Sequence, residues 1–310
     1  MPTRLPYGFP NRTIDWFTLS NSQDHRRDLN SKAAPTIYIA MKPKLAFVGA
    51  GKMVTAIVEG LLRNEIFSPE QMTCTSAPDG TSEKLSEATG IGRVDTLKEL
   101  LALGPERVLL GCKPYQLAEL DTTTLDACDG FLVLSIMAGK TLDSLQGKFP
   151  NARNIVRSMP NIPGQIGAGV TGYLFASPPT AEDEADVKRI LSALGCAIKV
   201  KEERHIDGIT AISGSGPAYV FEFACALEAA AESLGFDKER ARTLATETVL
   251  GAARLMARSE LDPETLRNNV TSPNGTTQAA LESFAAEDYR GMIKRAAQAA
   301  YDRSIELSHA

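Results

Sequence analysis

The chain has 310 residues, 43% of them hydrophobic, and a formal net charge of −5. That length and apolar content supply core enough for about two domains, while the mild acidic excess offers no general attraction to nucleic acid or to an anionic membrane surface. No apolar run reaches the roughly 18 residues that a membrane span needs.

The cysteines Cys74, Cys112, Cys128, Cys196 and Cys225 form no C-x-x-C pair, and most sit in apolar runs. They read as reduced, buried thiols of a cytoplasmic protein. His25, His205 and His309 are far apart, so no metal site is expected. His205 reads as a surface or packed residue and the charged run Lys199–Arg204 as a solvated segment.

Residues 1–40 are polar and lack helical or strand periodicity. They have no apolar core of a secretory signal, and Asp15, Asp24 and Asp28 argue against a transit peptide. Met41-Lys42-Pro43-Lys44 leads straight into a strand, so translation is expected to begin at Met41, and the preceding residues are expected to be disordered.

From Leu45 onwards short apolar runs alternate with helical stretches. Strands are predicted at Leu45–Gly49, Met72–Ser76, Val108–Cys112, Phe131–Ile136 and Asn154–Val156. Helices are predicted at Lys52–Arg63, Thr81–Thr89, Leu97–Leu103 and Thr141–Phe149. Further strands follow near Gly169–Phe175 and Ala197–Val200, around a helix at Ala181–Leu194. This alternation predicts a mostly parallel sheet covered on both faces, the Rossmann-like α/β class.

After about Glu203 the texture changes to alanine-rich helices: Ala218–Leu234, Lys238–Arg258, Thr276–Ala286 and Glu287–Leu307. Pro217 fits a helix start and Gly235 a helix end. The predicted organisation is an extension over 1–40, a dinucleotide-binding domain over 41–203, and an all-α domain over 204–310 suited to dimerisation.

Gly49-Ala50-Gly51-Lys52-Met53-Val54 follows the first strand and opens the first helix. Gly49 permits the tight turn, Gly51 lets backbone approach a pyrophosphate, and the helix N-terminus presents free N–H groups to it. The third motif position, commonly Gly or Ala, is Val54. At the end of the second strand an NAD enzyme places a carboxylate for the ribose 2′-hydroxyl. Here Ser76 stands in that place, which favours NADPH and leaves NADH as the alternative coenzyme. Cys112-Lys113-Pro114 and Ser135-Ile136-Met137-Ala138-Gly139 close two more strands at the same edge.

Two hydroxyl-rich turns lead into helices of the second half: Ser213-Gly214-Ser215-Gly216-Pro217-Ala218-Tyr219 and Val270-Thr271-Ser272-Pro273-Asn274-Gly275-Thr276-Thr277. The second combines hydroxyls with backbone N–H groups at a helix start, a ready site for a small carboxylate. Each turn read alone is equally an ordinary capped turn.

With Arg157-Ser158-Met159-Pro160-Asn161-Ile162-Pro163 added, these segments in this order resemble the pyrroline-5-carboxylate reductase family over nearly all of 41–310. The resemblance implies reduction of a cyclic imine to L-proline, the last step of proline biosynthesis, with NADPH contacted by Gly49–Val54, Ser76, Lys113, Pro114, Met137, Ala138 and Gly139. It implies that Ser272, Gly275, Thr276 and Thr277 hold the substrate, with the Thr277 hydroxyl near the ring nitrogen and Glu260 close by. It also implies dimers interlocked through the C-terminal helices, stacked into decamers in some members, with the pocket completed by a partner subunit. Asn274 stands where the family usually has glycine, a substitution that asparagine's tolerance of positive φ accommodates. Two other readings stay open at this stage: a related reductase of another cyclic imine or a hydroxy acid, and a non-catalytic NADPH-binding regulator.

Overall fold

The computed structural model describes residues 42–120 and 130–308. The expectations for 1–40, for a start at Met41 and for Cys128 lie outside the described residues. Strands β1 (Leu45–Val48), β2 (Met72–Thr75), β4 (Arg107–Leu110) and β5 (Leu132–Ser135) are buried at every position. Each is covered on both faces, which is why they read as short runs and not as alternating patterns. With β3 (Gly92–Arg93), β6 (Asn154–Met159), β7 (Gly169–Phe175) and β8 (Gly195–Lys199) they form one sheet in the order β3-β2-β1-β4-β5-β6-β7-β8. Neighbouring strands run parallel throughout, except for the antiparallel pair β6–β7.

Successive residues of β1 enter opposite cores. Leu45 and Phe47 pack with Val54, Ile57 and Leu61 of α1 (Lys52–Arg63) and with Val187, Ile190 and Leu191 of α6 (Ala181–Ser192). Ala46 and Val48 pack on the other face with Leu100 and Leu101 of α3 (Leu97–Ala102) and Leu145 of α5 (Leu142–Lys148). The helices start where local chemistry caps them: Thr96 and Glu99 form a capping box at α3, and Thr141 and Thr180 accept the amides of Ser144 and Asp183 at α5 and α6. α2 (Thr81–Thr89) and the single turn α4 (Gln116–Glu119) complete the layers.

The predicted end of β6 needs correction. The strand expected over Asn154–Val156 continues through the polar Arg157 and Ser158 to Met159. Arg157 stays in the sheet, with only 3% of its side chain exposed, because Glu203 (2.7 Å) and Asp207 (2.9 Å) neutralise it. Glu203 also accepts the Leu142 amide that opens α5, at 2.8 Å. The segment predicted as solvated therefore contributes a structural carboxylate. Asp207 lies in α7 (Arg204–Ile209), which the sequence reading did not anticipate, and accepts the Ser304 hydroxyl at 2.8 Å.

From α7 the chain passes through a π-helical turn, Thr210–Gly214. Next come α8 (Gly216–Ser233), α9 (Lys238–Arg258), α10 (Pro263–Asn269), α11 (Thr276–Ala286) and α12 (Tyr289–Ser308). The last helix begins two residues later than predicted because Asp288 takes a left-handed φ of 49°. Among α8–α12 the buried residues are Ala241, Ala245 and Ser304. Large apolar side chains lie open instead, Phe221 at 61%, Leu255 at 56% and Val270 at 65% exposure. No helix among the described residues is long and apolar enough to cross a membrane. Cys74, Cys112, Cys196 and Cys225 are free thiols, but against the expectation of burial only Cys74 of these is buried and Cys225 is exposed.

Replacing Arg157 by methionine keeps the volume and strands two carboxylates. Removing one partner of a buried ion pair costs about 3–5 kcal/mol. Arg157→Met is thus expected to lower urea-unfolding stability by about 3 kcal/mol or more, with a much smaller loss for the exposed pair variant Arg303→Met.

Candidate active site

The C-terminal ends of β1, β2, β4 and β5 open onto one cleft of about 1350 Å³. This is the edge at which parallel α/β sheets hold ligands. Gly49 builds its floor. It adopts φ 102°, its amide donates to Thr75 O at 2.8 Å, and a Cβ there would meet the backbone of Gly111 at 2.6 Å. Gly51 caps α1 without any side-chain bond, and a Cβ at Gly51 would meet nothing within 4 Å. The first N–H groups of α1 therefore have open space before them, the arrangement a pyrophosphate needs.

Val54 in the third glycine position is accommodated by its neighbour. It is buried, and a side chain at Gly111, just beyond β4, would collide with Val54 Cγ2. The small residue that lets helix approach sheet has moved from the helix to the strand end.

Gly49, Ala50, Gly51, Lys52, Met53, Val54, Ser76, Lys113, Pro114, Met137 and Ala138 all line this cleft. Met137 does so while its side chain is buried. Its amide donates to Ser135 Oγ (3.2 Å), and the Cys112 thiol lies 3.7 Å from its sulfur. Burial raises the Cys112 thiol pKa above its ordinary value, so this sulfur stays protonated near neutral pH. Lys113 and Gln116 close a turn through two bonds, Lys113 N to Gln116 Oε1 (2.8 Å) and Gln116 N to Lys113 O (2.9 Å).

Gly139 is not among the described lining residues. It sits behind them at φ 69°, where a Cβ would come within 2.8 Å of Leu307 O. The end of α12 thus supports the Met137–Gly139 loop from beneath.

Asp79, Thr81, Lys84 and Gln165 also line the cleft, beyond the residues expected from the motifs. Asp79 carries a readable signal, since Asp-Gly-Thr before a helix is a turn in which the acid accepts nearby donors. Gln165 carries none, because it arrives from a 3-10 turn, Ile162–Ile166, that packs against α1 from far along the chain.

Ser272, Gly275, Thr276, Thr277 and Glu260 do not line the cleft of their own chain. Asn274 takes φ 58°, the left-handed conformation a glycine would supply, and its amide donates to Gln278 Oε1 at 2.8 Å. Gly275 caps α11 without a side-chain bond, so the first amides of Thr276 and Thr277 are free of caps. Glu260 is exposed between α9 and α10, on the far side of a helix about 10 Å long. Among the described residues no group of three His, Cys, Asp or Glu could hold a metal.

Fold and cleft define a dinucleotide-binding protein of the NADP oxidoreductase class. The family model described as "NADP oxidoreductase coenzyme F420-dependent" matches residues 44–139, and the model for pyrroline-5-carboxylate reductase dimerisation matches 203–307. The pyrroline-5-carboxylate reductase of Pseudomonas aeruginosa is 35% identical over 86% of this chain and 97% of its own length. That of Vibrio alginolyticus is 37% identical over 85% and 97%. The solved pyrroline-5-carboxylate reductase of Coxiella burnetii superposes with a TM-score of 0.80 at 34% identity, over 86% of this chain and 99% of the other. The Plasmodium falciparum enzyme, solved with NADP bound, gives a TM-score of 0.74 at 26% identity, over 86% and 99%. The chain belongs to the pyrroline-5-carboxylate reductase family.

Gly49→Ala sets both the positive φ and the 2.6 Å backbone approach against a methyl group. Strain of this kind costs on the order of 1–3 kcal/mol. The variant is expected to bind NADPH about tenfold or more weakly by calorimetric titration, while Gly147→Ala, on an open helix face, binds unchanged.

Proposed function

We propose that this chain transfers hydride from NAD(P)H to the ring carbon of pyrroline-5-carboxylate, giving L-proline. The reading is carried by one conjunction: a glycine-floored cleft at an uncapped helix and, in the same chain, an uncapped hydroxyl-rich helix start at Ser272–Thr277.

The coenzyme supplies the hydride, and the protein supplies position and electrostatics. The amides opening α1, after Gly49-Ala50-Gly51, receive the pyrophosphate. Lys52, Met53 and Val54 form the start of that helix. Ser76 lies at the adenosine end, while Lys113, Pro114 and the Met137–Gly139 loop lie at the nicotinamide end. Both signs of charge line the cleft, Lys52, Lys84 and Lys113 against Glu59, Asp79, Asp95 and Glu119.

At the substrate, the Thr276 and Thr277 amides and the Ser272 hydroxyl hold the carboxylate, with Gly275 leaving them room. The Thr277 hydroxyl bonds the ring nitrogen as it becomes an amine. Glu260 stands upstream of the loop, exposed before α10, as an acid to be placed near the substrate. A cyclic imine can be protonated in water before it binds, so a site of hydroxyls without histidine suffices. Fixing the imine carbon against the hydride donor is then the main catalytic contribution.

The substrate loop serves the cleft of a second subunit. Two observations support this: the loop is absent from its own chain's cleft, and α8–α12 leave their apolar faces open, as an unpaired half of an interface does. The organisation is a dinucleotide domain to about residue 203 and a dimerising, substrate-holding domain from 204. A cytoplasmic setting fits the free thiols.

Oxidation of NADPH and NADH, followed by nicotinamide absorbance with racemic pyrroline-5-carboxylate and with a panel of 2-keto acids, tests the reading. Turnover confined to the imine is expected. Turnover of a keto acid instead, or binding of coenzyme without imine reduction, would overturn it. Thr277→Ala is expected to lower kcat/KM for the imine roughly 3- to 10-fold, the worth of one net hydrogen bond, and an unchanged value would remove Thr277 from the mechanism.

A further inference from the structure

The adenosine end of the cleft carries an acid where a phosphate-selective site would carry an arginine. Asp79 lines the cleft beside Ser76, in the turn between β2 and α2. Its Oδ1 accepts the Thr81 hydroxyl (2.6 Å) and amide (3.0 Å) and lies 3.5 Å from the Ser76 hydroxyl. Every one of these bonds falls on Oδ1. Oδ2 takes part in no hydrogen bond or ion pair among the described residues. The carboxylate is thus anchored by one oxygen, and the other is left unbonded on an exposed residue that lines the cleft.

The Ser76 hydroxyl, by contrast, is engaged inside the turn. It lies 2.9 Å from the Ala77 carbonyl it donates to, and it accepts from the Ser82 amide (3.3 Å). Among the described residues no arginine lines the cleft. Arg93, at the end of β3, is tied to Glu83 (2.5 Å) and Asp95 (2.7 Å), and its Nε donates to Ser82 Oγ at 3.3 Å. Its charge is committed to two carboxylates. Lys84, one turn into α2, is the cation that remains at this end.

We infer that Asp79 is the specificity-determining residue of the coenzyme site: its free oxygen accepts the 2′-hydroxyl of an unphosphorylated ribose and opposes a 2′-phosphate, so that NADH is a true coenzyme of this chain. The inference rests on reading the cleft as the NAD(P)H site. It differs from what Ser76 alone suggests, because the hydroxyl that would greet a phosphate is already bonded within the turn while a carboxylate oxygen beside it is not.

The test measures dissociation constants of NADH and NADPH, by calorimetry or quenching of nicotinamide fluorescence, for the full-length protein and for Asp79→Asn and Asp79→Ala. Both variants are expected to bind NADH more weakly and NADPH more tightly, moving the NADPH:NADH affinity ratio about tenfold or more, as removal of a like charge near a phosphate dianion should. Two variants are used because asparagine can still receive the Thr81 bonds and keep the turn, whereas alanine removes both oxygens. A ratio that stays within twofold of the parent in both variants would overturn the inference. Binding is the readout, so the role of Asp79 is decided whether or not the imine is turned over. Failure of the parent protein to bind either coenzyme would overturn the reading of the cleft, and the inference with it.

Discussion

A side chain at position 49 would run into the backbone of Gly111 at 2.6 Å, and a side chain at position 111 would run into Val54. This mutual exclusion fixes how closely the ends of β1 and β4 approach the start of α1. Everything at the ligand edge depends on it. The left-handed turn at Gly49 lets the chain leave β1 and enter α1 within three residues, with the helix N-terminus aimed across the sheet edge. The open space before Gly51 then lies against unbonded amides. The third glycine of the motif is not needed on the helix, because the strand provides the missing volume. Neighbouring loops from β2, β4 and β5 complete a cleft whose shape follows from that contact.

A second constraint joins this cleft to the helices. Arg157 in the middle of the sheet bonds Glu203 and Asp207, and Asp207 accepts the hydroxyl of Ser304 near the end of α12. One residue turn further on, Leu307 lies against Gly139, behind the Met137–Gly139 loop. The C-terminal helix is therefore held by a buried charge at one point and supports a cleft loop at the next. The same helix follows α11, whose first turn carries the hydroxyl-rich loop. Through α11 and α12 a helical half with almost no buried side chains of its own is tied to a sheet that is fully built.

Much of this was legible in the sequence because its causes are local. Runs such as Leu45–Val48 and Leu132–Ser135 are apolar throughout since both faces are covered, and glycine at 49 and 51 announces the turn. Asn274 could be read as a left-handed residue, and it adopts φ 58°. The parts that were not legible have causes distant in the chain. β6 runs on to Met159 only because carboxylates some fifty residues later neutralise Arg157, and Glu203 was hidden in a run that reads as solvated. Gln165 reaches the cleft by packing across α1. Ser76 occupies its predicted place, yet the direction of its hydroxyl depends on Ala77 and Ser82, which no motif records. The placement of Ser272–Thr277 away from its own cleft cannot be read from spacing at all, since it depends on how helices cross.

The central claim is that a complete site combines the cleft of one subunit with the loop of another. Mixed dimers test it most directly. Subunits carrying Gly49→Ala, which weakens coenzyme binding in the cleft, are co-expressed with subunits carrying Gly275→Val, which forces a branched side chain against Ser272 in the loop, and assayed at limiting coenzyme. Each variant alone is expected to reduce pyrroline-5-carboxylate poorly. If cleft and loop come from different subunits, a mixed dimer contains one intact pair, and activity returns in the mixture. If both belong to a single chain, every site in the mixture keeps one damaged half. Activity that stays at the level of the separate variants would then contradict the account.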